Sequence, residues 1–561
     1  MTDKTDRSEL LFLPLGGCEE IGMNLNAYGF GPPEDRRWIL ADIGVTFGDD
    51  RTPGIDLICA DPEYLVGETI EAIFLTHAHE DHIGAVGLLY PRLKTRAPMY
   101  ATPFTAELVR QKLRERGIDD KAMLHEIPLG ATIDAGPFSV EYVRLTHSIP
   151  EPNALAITTP LGTVLHTGDW KIDPDPRLGE TTDIARLTAI GDAGVLAMVC
   201  DSTNVFEEGE AGSEATVRAS LEALISEQAG RVAVTTFASN VARVQSVIEA
   251  AQACGRSVCL VGRSMFRITD AAKQVGLLGK EVTFITDEEA SYLPPENVLY
   301  LCTGSQGEER AALTRIAKGE HRHVSLSRSD TVIFSSRVIP GNERGIFDLM
   351  NRFADKGIRV ITDRMCKDPI HVSGHPCRDE LAKMYGWIRP QVSVPVHGER
   401  RHTLEHALYA ESLQVPMSVV PRNGELVRLA PGDPEIIDEV PSGRLMLDGD
   451  HLVPDNAAAL GERLRLASFG YLHVSVAIDE DDGVIDGPLV TARGLSEPDG
   501  RLADESIDAL DEAAEAAVEG MKRRDLDDDD AVERAIGRAV RRAAEKTFGR
   551  KPIVDVTVLR N

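Results

Sequence analysis

Short apolar runs that end beside an acidic or imidazole side chain recur along this chain. They occupy residues 39–41, 73–75, 143–145, 164–165 and 392–396, and β-branched residues are frequent among them. Runs of this length and composition are typical of buried strands. The pattern therefore predicts sheets whose strand ends carry Asp and His.

The middle of the chain has a different pattern, in which helical periodicity alternates with short β-branched runs. Helices are predicted at 217–229 and 241–251, and strands at 232–236, 258–261, 298–302 and 331–335. This alternation is typical of a parallel α/β sheet. Strand ends that carry potential metal ligands stop near Asn204 and resume only at His371, so we interpret the middle region as an inserted domain.

The last part of the chain predicts a small α/β module without a ligand cluster of its own. Its strands are expected at 471–478, 487–492 and 553–559, and its helices at 506–518 and 531–547. The domain organisation that follows is a first domain in two parts (1–205 and 363–450), an inserted domain (206–362), a linker (451–466) and a C-terminal domain (467–561).

The densest cluster of potential metal ligands is the segment THAHEDH at residues 76–82, directly after an apolar run. In an extended segment His77 and His79 point to one side, and the turn that follows can bring Asp81 and His82 to a neighbouring position. Imidazole and carboxylate ligands suit zinc or manganese. The segment could therefore serve two adjacent cations; the alternative is a histidine-rich surface turn.

Further ligands of the same kind stand at the ends of other predicted strands: Asp42, His147, Asp169 and His397. Taken singly, each is an ordinary polar residue at a strand end. Taken together with residues 76–82, they indicate a site for two metal ions.

These motifs resemble the metallo-β-lactamase superfamily, and later segments narrow the resemblance to its β-CASP nucleases. Residues 199–204, 371–375 and 395–399 are similar to the β-CASP signatures, and residues 16–22 and 236–240 are closest to the bacterial ribonuclease J family. The resemblance implies an α/β protein built on an αββα sandwich, with an inserted β-CASP domain and a small C-terminal domain.

The resemblance also implies roles for the metal-binding candidates. His77, His79 and His147 would hold one ion, Asp81, His82 and His397 the other, and Asp169 would bridge the two. Asp42 would lie outside these ligands and orient one of the histidines through its free ring nitrogen. We expect two divalent ions per subunit, with zinc as the first expectation and manganese or magnesium as alternatives.

The chemistry expected of such a site is hydrolysis of a phosphodiester. Two cations about 4 Å apart can activate water and neutralise charge on the phosphoryl oxygens. His375 lies on a Gly-flanked loop and is the candidate general acid, because imidazole exchanges protons near pH 7. Asp201 could hold that imidazole and favour its charged form. Asp81 joins these two as a catalytic candidate; alternatively, His371 and His375 are ordinary loop residues.

Two short loops are candidates for binding the RNA and its 5′ phosphate. The first comprises Ala238, Ser239 and Asn240, at a strand-to-helix junction that would suit an anion; the second comprises His371, Val372, Ser373, Gly374 and His375. The alternative for the first loop is an ordinary helix N-cap. By resemblance, the two loops would grip a 5′-monophosphate and favour 5′-to-3′ exonuclease action, beside endonuclease activity in RNA maturation and decay.

Charge is the main argument against a nucleic-acid enzyme, because the 561-residue chain has a formal net charge of −30. Lys and Arg normally supply much of the affinity for phosphate. Acidic runs at 479–482 and 525–530 would repel RNA, so we expect a local basic groove elsewhere. Arg243, Arg263, Arg337 and Lys171 are its candidates by their position near the motifs.

The remaining expectations concern location, assembly and competing functions. No apolar stretch is long enough for a membrane span, the first residues lack a signal-type apolar region, and the 8 scattered cysteines suggest a reduced, cytoplasmic protein. By resemblance, RNA is the partner, and the C-terminal domain assembles a dimer or tetramer. A calcium site near Asp49 is left open. A β-CASP nuclease acting on DNA and a small-molecule metallohydrolase are the alternative functions.

Overall fold

The computed structural model describes residues 7–339, 341–479, 483–497 and 499–560. These residues form two compact units: one comprises residues up to 46 together with 58–444, and the other comprises 47–57 together with the residues from 445 onward. Most of the acidic run at 479–482 lies outside the described residues.

The strands in chain order are β1 (Glu9–Gly16), β2 (Leu25–Gly31), β3 (Arg37–Ala41), β4 (Val45–Phe47), β5 (Ile55–Ala60), β6 (Thr69–Phe74), β7 (Met99–Ala101), β8 (Leu124–Glu126), β9 (Thr132–Ala135), β10 (Phe138–Arg144), β11 (Asn153–Thr159), β12 (Gly162–His166), β13 (Ala197–Asp201), β14 (Val232–Thr235), β15 (Ser257–Val261), β16 (Val298–Cys302), β17 (Thr331–Phe334), β18 (Arg359–Thr362), β19 (Val392–Val396), β20 (Met417–Ser418), β21 (Glu425–Ala430), β22 (Glu435–Glu439), β23 (Arg444–Asp448), β24 (His451–Pro454), β25 (Tyr471–Asp479), β26 (Gly483–Arg493) and β27 (Ile553–Arg560).

The α-helices are α1 (Glu80–Ile83), α2 (Val86–Leu89), α3 (Pro103–Glu115), α4 (Ile184–Ala193), α5 (Glu214–Ser226), α6 (Val241–Ala253), α7 (Arg263–Gln274), α8 (Asp287–Tyr292), α9 (Ala312–Lys318), α10 (Glu343–Asp355), α11 (Arg378–Ile388), α12 (Arg400–Ser412), α13 (Ala458–Phe469), α14 (Asp504–Glu519), α15 (Arg523–Leu526) and α16 (Asp529–Phe548). No helix within the described ranges is both long and apolar enough to cross a lipid bilayer.

Two large sheets form the two inner layers of the first unit. One has eight strands in the order β22-β21-β1-β2-β3-β6-β7-β8, and the other has seven in the order β20-β19-β13-β12-β11-β10-β9. Their facing sides share one core, in which Phe12, Tyr28 and Phe74 from the first sheet pack with Phe138 and Tyr142 from the second. Burial of each such side chain contributes about 1.5–3 kcal/mol, which fixes the two sheets face to face.

The outer side of the seven-stranded sheet is covered by helices. Leu187 of α4 and Met384 of α11 share a buried cluster there with Leu165 and Met198 of the sheet. The strands of this sheet therefore have apolar residues on both faces, which explains why their sequence reads as continuous apolar runs.

The middle region is an insertion between two neighbouring strands of the seven-stranded sheet. β13 and β19 pair in parallel, with Ala197 opposite Val392, although about two hundred residues separate them. Between them the chain forms a separate parallel sheet in the order β15-β16-β14-β17-β18, with a core of its own. The prediction of an inserted parallel α/β domain is confirmed.

The second unit contains a three-stranded sheet in the order β26-β25-β27, against which α14 and α16 pack through a buried apolar cluster. Its predicted strands and helices are all present. Residues 451–466, which we expected to form a linker, instead contain β24 and most of α13. Its Pro, Gly and Asp content suggested a loop, but helix α13 carries alanines and leucines that the loop prediction underweighted.

Candidate metal centre and active site

The strand ends that carry the predicted ligands meet at one edge of the sandwich. β3 and β6 run in parallel, with Ala41 opposite Phe74, so Asp42 and the segment 76–82 leave the first sheet at the same end. In the second sheet β12, β13 and β19 are parallel neighbours, and β10 has the same direction because two antiparallel pairings separate it from β12. His147, Asp169 and His397 therefore emerge at a common edge.

One cluster at this edge consists of three histidines and one aspartate: His77, His79, His147 and Asp169. The His79 Nδ1 atom lies 3.1 Å from His77 Nε2 and 3.0 Å from His147 Nε2. Asp169 Oδ2 is 3.9 Å from both His77 Nε2 and His147 Nε2. Burial and the neighbouring histidines hold the pKa of His77 and His147 well below the usual value, so both rings are neutral.

A second cluster shares Asp169 with the first and adds Asp81, His82 and His397. His82 Nε2 lies 3.2 Å from Asp169 Oδ2 and 3.6 Å from Asp81 Oδ2. His397 Nε2 lies 3.1 Å from Asp81 Oδ2. The ligand atoms of each cluster are all within 4.8 Å of one another, which is a suitable span for a single cation.

Outer hydrogen bonds fix the ring orientation of three of these histidines. His82 Nδ1 donates to Asp42 Oδ2 at 2.7 Å, and His147 Nδ1 donates to the Gly374 carbonyl at 2.5 Å. His397 Nδ1 lies 3.1 Å from the hydroxyl of Thr203, which itself donates to Asp201 at 2.7 Å. Each bond leaves the Nε2 lone pair directed away from its partner and available to a metal ion.

Two of these positions have a strained backbone. Asp42 and His397 have φ angles of 65° and 51°, in the left-handed region that non-glycine residues rarely adopt. Each is the first residue after its strand, where the chain turns sharply to bring the side chain over the cluster. Strained conformations of this kind are characteristic of functional sites.

The donor set fits divalent cations. Asp169 Oδ1 is buried and has no hydrogen-bond partner within the described part of the chain. The three imidazole nitrogens of the first cluster face one another with lone pairs that hydrogen bonds among them cannot all satisfy. A cation between them would satisfy these groups, and nitrogen with carboxylate oxygen is the ligand chemistry of zinc.

His375 lies beside the metal clusters and is held by Asp201. Its Nδ1 atom is 2.8 Å from Asp201 Oδ2, and the side chain retains 22% exposure, while Asp201 is buried. Burial alone would lower the pKa of His375, but Asp201 outweighs burial and raises that pKa above its usual value. Asp201 therefore favours the protonated form of the imidazole, and the ring is partly exposed.

The loop at 371–375 approaches the metal ligands closely. Gly374 must be a glycine, because a Cβ atom there would lie 2.8 Å from the His147 ring. The Ser373 hydroxyl accepts a hydrogen bond from Asn204 at 2.7 Å, and the His375 carbonyl accepts another from Asn204 at 3.0 Å. Val372 is buried, whereas His371, Ser373 and His375 are partly exposed.

The loop at 238–240 divides into two parts. Ala238 and Ser239 are partly exposed, but Asn240 is 4% exposed and caps helix α6, accepting from the Arg243 amide at 2.9 Å. The alternative interpretation of Asn240 as an N-cap is confirmed. Its side-chain amide donates to Glu214, so this group faces the protein interior.

The predicted basic groove is wrong for two of its four candidates. Arg243 and Lys171 are 0% and 1% exposed, and both are bonded to buried carboxylates, so neither can line a groove for RNA. Position near a motif suggested exposure, but Glu214 is brought to Arg243 only by the fold, and Lys171 is buried beside its near neighbour Asp173. Arg263 and Arg337 are exposed.

Several residues that contact the site were not singled out in the sequence. Asn24 donates to the Asp81 carbonyl at 3.0 Å, and Thr76 donates to Asp42 through both its amide and its hydroxyl at 2.8 Å. Thr203 and Asn204 lie within the 199–204 motif, which was a usable signal. Asn24 had none, because a single polar residue in a loop cannot be distinguished from a solvated one.

Asp49, near which a calcium site is left open, accepts a hydrogen bond from the side chain of Arg51 at 2.8 Å.

Four family descriptions match successive parts of the chain. They are the beta-lactamase superfamily domain (37–237), the ribonuclease J beta-CASP domain (229–353), the Zn-dependent metallo-hydrolase RNA specificity domain (364–420) and the ribonuclease J C-terminal domain (458–561). The sandwich is thus a metallo-β-lactamase fold, and the insertion is a β-CASP domain.

Proteins that are similar to nearly the whole chain are described as ribonuclease J. The chain is 46% identical to ribonuclease J of Sinorhizobium meliloti over 99% of this chain and 98% of that protein. It is 38% identical to ribonuclease J of Mycolicibacterium smegmatis, with 97% and 96% covered, and 35% identical to that of Thermus thermophilus, with 98% and 94% covered.

One solved structure shows the same fold at low identity. It is described as a protein of unknown function from Enterococcus faecalis V583, and it is 17% identical, with a TM-score of 0.52 over 75% of this chain and 100% of that chain.

Proposed function

Because the chain belongs to the ribonuclease J family and is a metal-dependent ribonuclease, we propose that it degrades RNA from 5′ ends that carry a monophosphate and also cleaves internally. The observation that carries this proposal is the position of His375. Its imidazole, held by Asp201 at 2.8 Å, stands beside the two clusters of candidate metal ligands described above.

We propose that two divalent ions, zinc by preference, are held at this edge. His77, His79 and His147 would hold one, Asp81, His82 and His397 the other, and Asp169 would contact both. When bound, such ions lower the pKa of water toward about 7 and offset charge on phosphoryl oxygens. Asp42 would keep His82 in the tautomer that binds metal through Nε2.

The protein groups would then act on the two ends of the breaking bond. Asp81 Oδ2, at the open side of the second cluster, would orient the attacking water in addition to binding metal. His375 would donate its proton to the departing 3′ oxygen, and Asp201 would stabilise the charged imidazole until that transfer.

Recognition of the 5′ end would come from the two loops beside the centre. Ala238 and Ser239 and the partly exposed members of 371–375 would contact the terminal phosphate, while Asn240 would hold the first loop through the N-cap of α6. A phosphate bound there would set the distance from the 5′ end to the metal clusters, which favours removal of nucleotides from that end.

RNAs of one sequence with 5′-monophosphate, 5′-triphosphate or 5′-hydroxyl ends test this proposal. Incubation with the metal-loaded protein, followed by sizing of products, should show rapid release of mononucleotides from the monophosphorylated RNA and slower internal cleavage of the other two. A His77→Ala protein and a DNA of matched sequence are the controls. Equal rates and equal product sizes for all three ends would contradict end recognition.

We further propose a cytoplasmic dimer or tetramer with the domain boundaries given by the sequence pattern, except that residues 451–466 are not a linker. Free cysteines at all 8 positions support a reducing compartment. The C-terminal sheet exposes Ile485, Leu489 and Leu559, which supports assembly through this region. Light scattering on the full chain should give a mass of two or four subunits, and a monomer would contradict the proposal.

A further inference from the structure

A second buried cluster of charged side chains lies beside the loop at 371–375 and contains none of the proposed metal ligands. Its centre is Arg243 on α6, which is fully buried, and Glu214 at the start of α5, which is 2% exposed. Arg243 Nε donates to Glu214 Oε2 at 2.9 Å, and Nη2 donates to Oε1 at 2.8 Å. This two-pronged ion pair neutralises both charges in the interior.

The third nitrogen of Arg243 joins the inserted domain to the loop that carries the catalytic candidates. Nη1 donates to the carbonyl and hydroxyl of Ser335, after β17, at 3.0 and 2.8 Å, and to the Ile370 carbonyl at 3.3 Å. The Ser335 hydroxyl donates to the same Ile370 carbonyl at 2.6 Å. One guanidinium thus fixes residue 370 relative to the sheet of the inserted domain.

The same side chain also contacts His371. Arg243 Nη1 lies 3.4 Å from His371 Nδ1, and a guanidinium can only donate, so this contact favours the tautomer in which Nδ1 is the acceptor. Burial, and then Arg243, lower the pKa of His371 to about 3, with Glu214 opposing and Arg337 and Lys171 reinforcing this shift. In the tautomer that this contact favours, the neutral ring carries its proton on Nε2.

The backbone of Arg243, in the first turn of α6, is bonded to the other phosphate-binding loop. Its amide donates to the Asn240 side chain, and the Asn240 amide group donates to Glu214 at 3.1 Å. The Glu214 amide in turn donates to Asp173, which pairs with Lys171 at 3.1 Å. The two loops that we propose to grip the phosphate are therefore both attached to one buried residue.

We propose that Arg243 is a positioning residue for recognition of the 5′ end. It holds the 238–240 loop and the 370–371 segment in register, and it keeps His371 in the Nε2–H tautomer that can donate to a terminal phosphate. This inference rests on the proposed function, in which both loops contact that phosphate. Lysine cannot replace arginine in this role, because its single nitrogen cannot reach Glu214, Ser335 and Ile370 together.

The variant Arg243→Lys tests the role while retaining the charge. The measured quantity is the kcat/KM for a 5′-monophosphorylated RNA divided by that for a circular RNA of the same sequence, which has no 5′ end. We expect this ratio to fall by about 10-fold or more, mainly through KM, which is the scale of a lost hydrogen bond to a charged group.

Arg256→Lys is the matched control for a general loss of stability. Arg256 is 5% exposed in the same inserted domain, and its side chain donates to the carbonyls of Gln228, Gly230 and Val298. Its replacement should lower the thermal midpoint comparably but leave the substrate ratio at the wild-type value. Ser335→Ala, which removes only the hydroxyl relay, should give a smaller fall in the ratio.

The tautomer of His371 should change when Arg243 is replaced, but not when a residue with a purely structural role is replaced. In ¹⁵N-histidine spectra, the His371 signal is identified by its absence from a His371→Asn protein. It should show the Nε2–H form in the wild type and a mixture of tautomers in Arg243→Lys. A wild-type ratio retained by Arg243→Lys, or an equal fall in Arg256→Lys, would overturn the role of Arg243. A wild-type protein without any preference for monophosphate would overturn the proposed end recognition as well.

Discussion

The metal-binding clusters and the cluster around Arg243 both lie near the 371–375 loop, and they differ in whether the protein itself satisfies their polar groups. In the metal-binding clusters, imidazole lone pairs face each other and Asp169 Oδ1 has no hydrogen-bond partner among the described residues. In the cluster around Arg243, the guanidinium donates to a carboxylate, a hydroxyl and two carbonyls. The metal-binding clusters need an ion to satisfy their polar atoms, whereas the cluster around Arg243 is already neutral and hydrogen-bonded.

This difference separates two kinds of buried polarity. Groups left unsatisfied by the protein are costly unless a ligand completes them, so their presence points to binding. A closed network rigidifies its surroundings and offers nothing to a ligand. The cluster around Arg243 therefore acts on the substrate only through the loops it holds, and the following variants separate the two behaviours.

Loss of a metal ligand should have the largest effect. His77→Ala should reduce RNA cleavage to background, which exceeds the roughly 10–100-fold loss typical of an outer partner. Its fold should remain, because the ring lies at an edge of the sandwich. Elemental analysis and cleavage assays check this, with the exposed His125→Ala as a control. Full activity in His77→Ala would contradict the assignment.

Loss of the proton donor should come next. His375→Ala should lower kcat by about 10²–10⁴-fold while the bound metal stays at the wild-type stoichiometry, because general acids contribute on this scale and His375 is not assigned as a ligand. Single-turnover cleavage and metal analysis on one preparation measure both. Metal lost together with activity would make His375 a ligand instead.

Loss of an outer partner should be smaller. Asp42→Asn weakens the acceptor that fixes His82 at 2.7 Å, so metal affinity should fall by roughly 10–100-fold, and saturating metal should restore part of the activity. Titration of the metal-free protein measures this, with Asp35→Asn on the surface as control. An unchanged affinity would exclude a role for Asp42 in ligand orientation.

The cluster around Arg243 should contribute to the free energy of unfolding, and this contribution should depend on pH. Burial raises the pKa of Glu214, but Arg243 outweighs burial and lowers it to about 2. A carboxyl group whose pKa is lower in the folded than in the unfolded chain stabilises the fold at pH values above its unfolded pKa, near 4.3. This contribution is lost as the pH falls toward 2. At pH 7, Glu214→Gln should therefore cost roughly 3 kcal/mol of unfolding free energy.

Denaturant unfolding of the wild type and Glu214→Gln at pH 7, 5, 4 and 3 measures this difference. It should be constant from pH 7 to 5 and then shrink. A difference that does not change with pH would show that the carboxylate charge contributes nothing to the pair.

The sequence predicted the elements of the inserted domain and the residues of the metal clusters more successfully than it predicted which charges are buried. His77, His79, Asp81 and His82 stand within six residues, and such density has few explanations other than a metal site. Arg243 and Lys171 stand beside motifs as surface cations would. Nothing local indicates that Arg243 lies against Glu214, 29 positions away, or that Lys171 and its neighbour Asp173 are buried together. The helix α13 was similarly hidden in a segment with the composition of a loop.

The local sequence determined this protein's strands, its turns and the chemical type of its ligands, because alternation, chain breaks and side-chain chemistry are properties of neighbouring residues. The tertiary structure alone decided which of the candidate ligands lie together, through the parallel pairing of β3 with β6 and of β12, β13 and β19. It also decided that Arg243 faces Glu214. Burial and long-range pairing depend on residues far apart in the chain, and no local pattern encodes them.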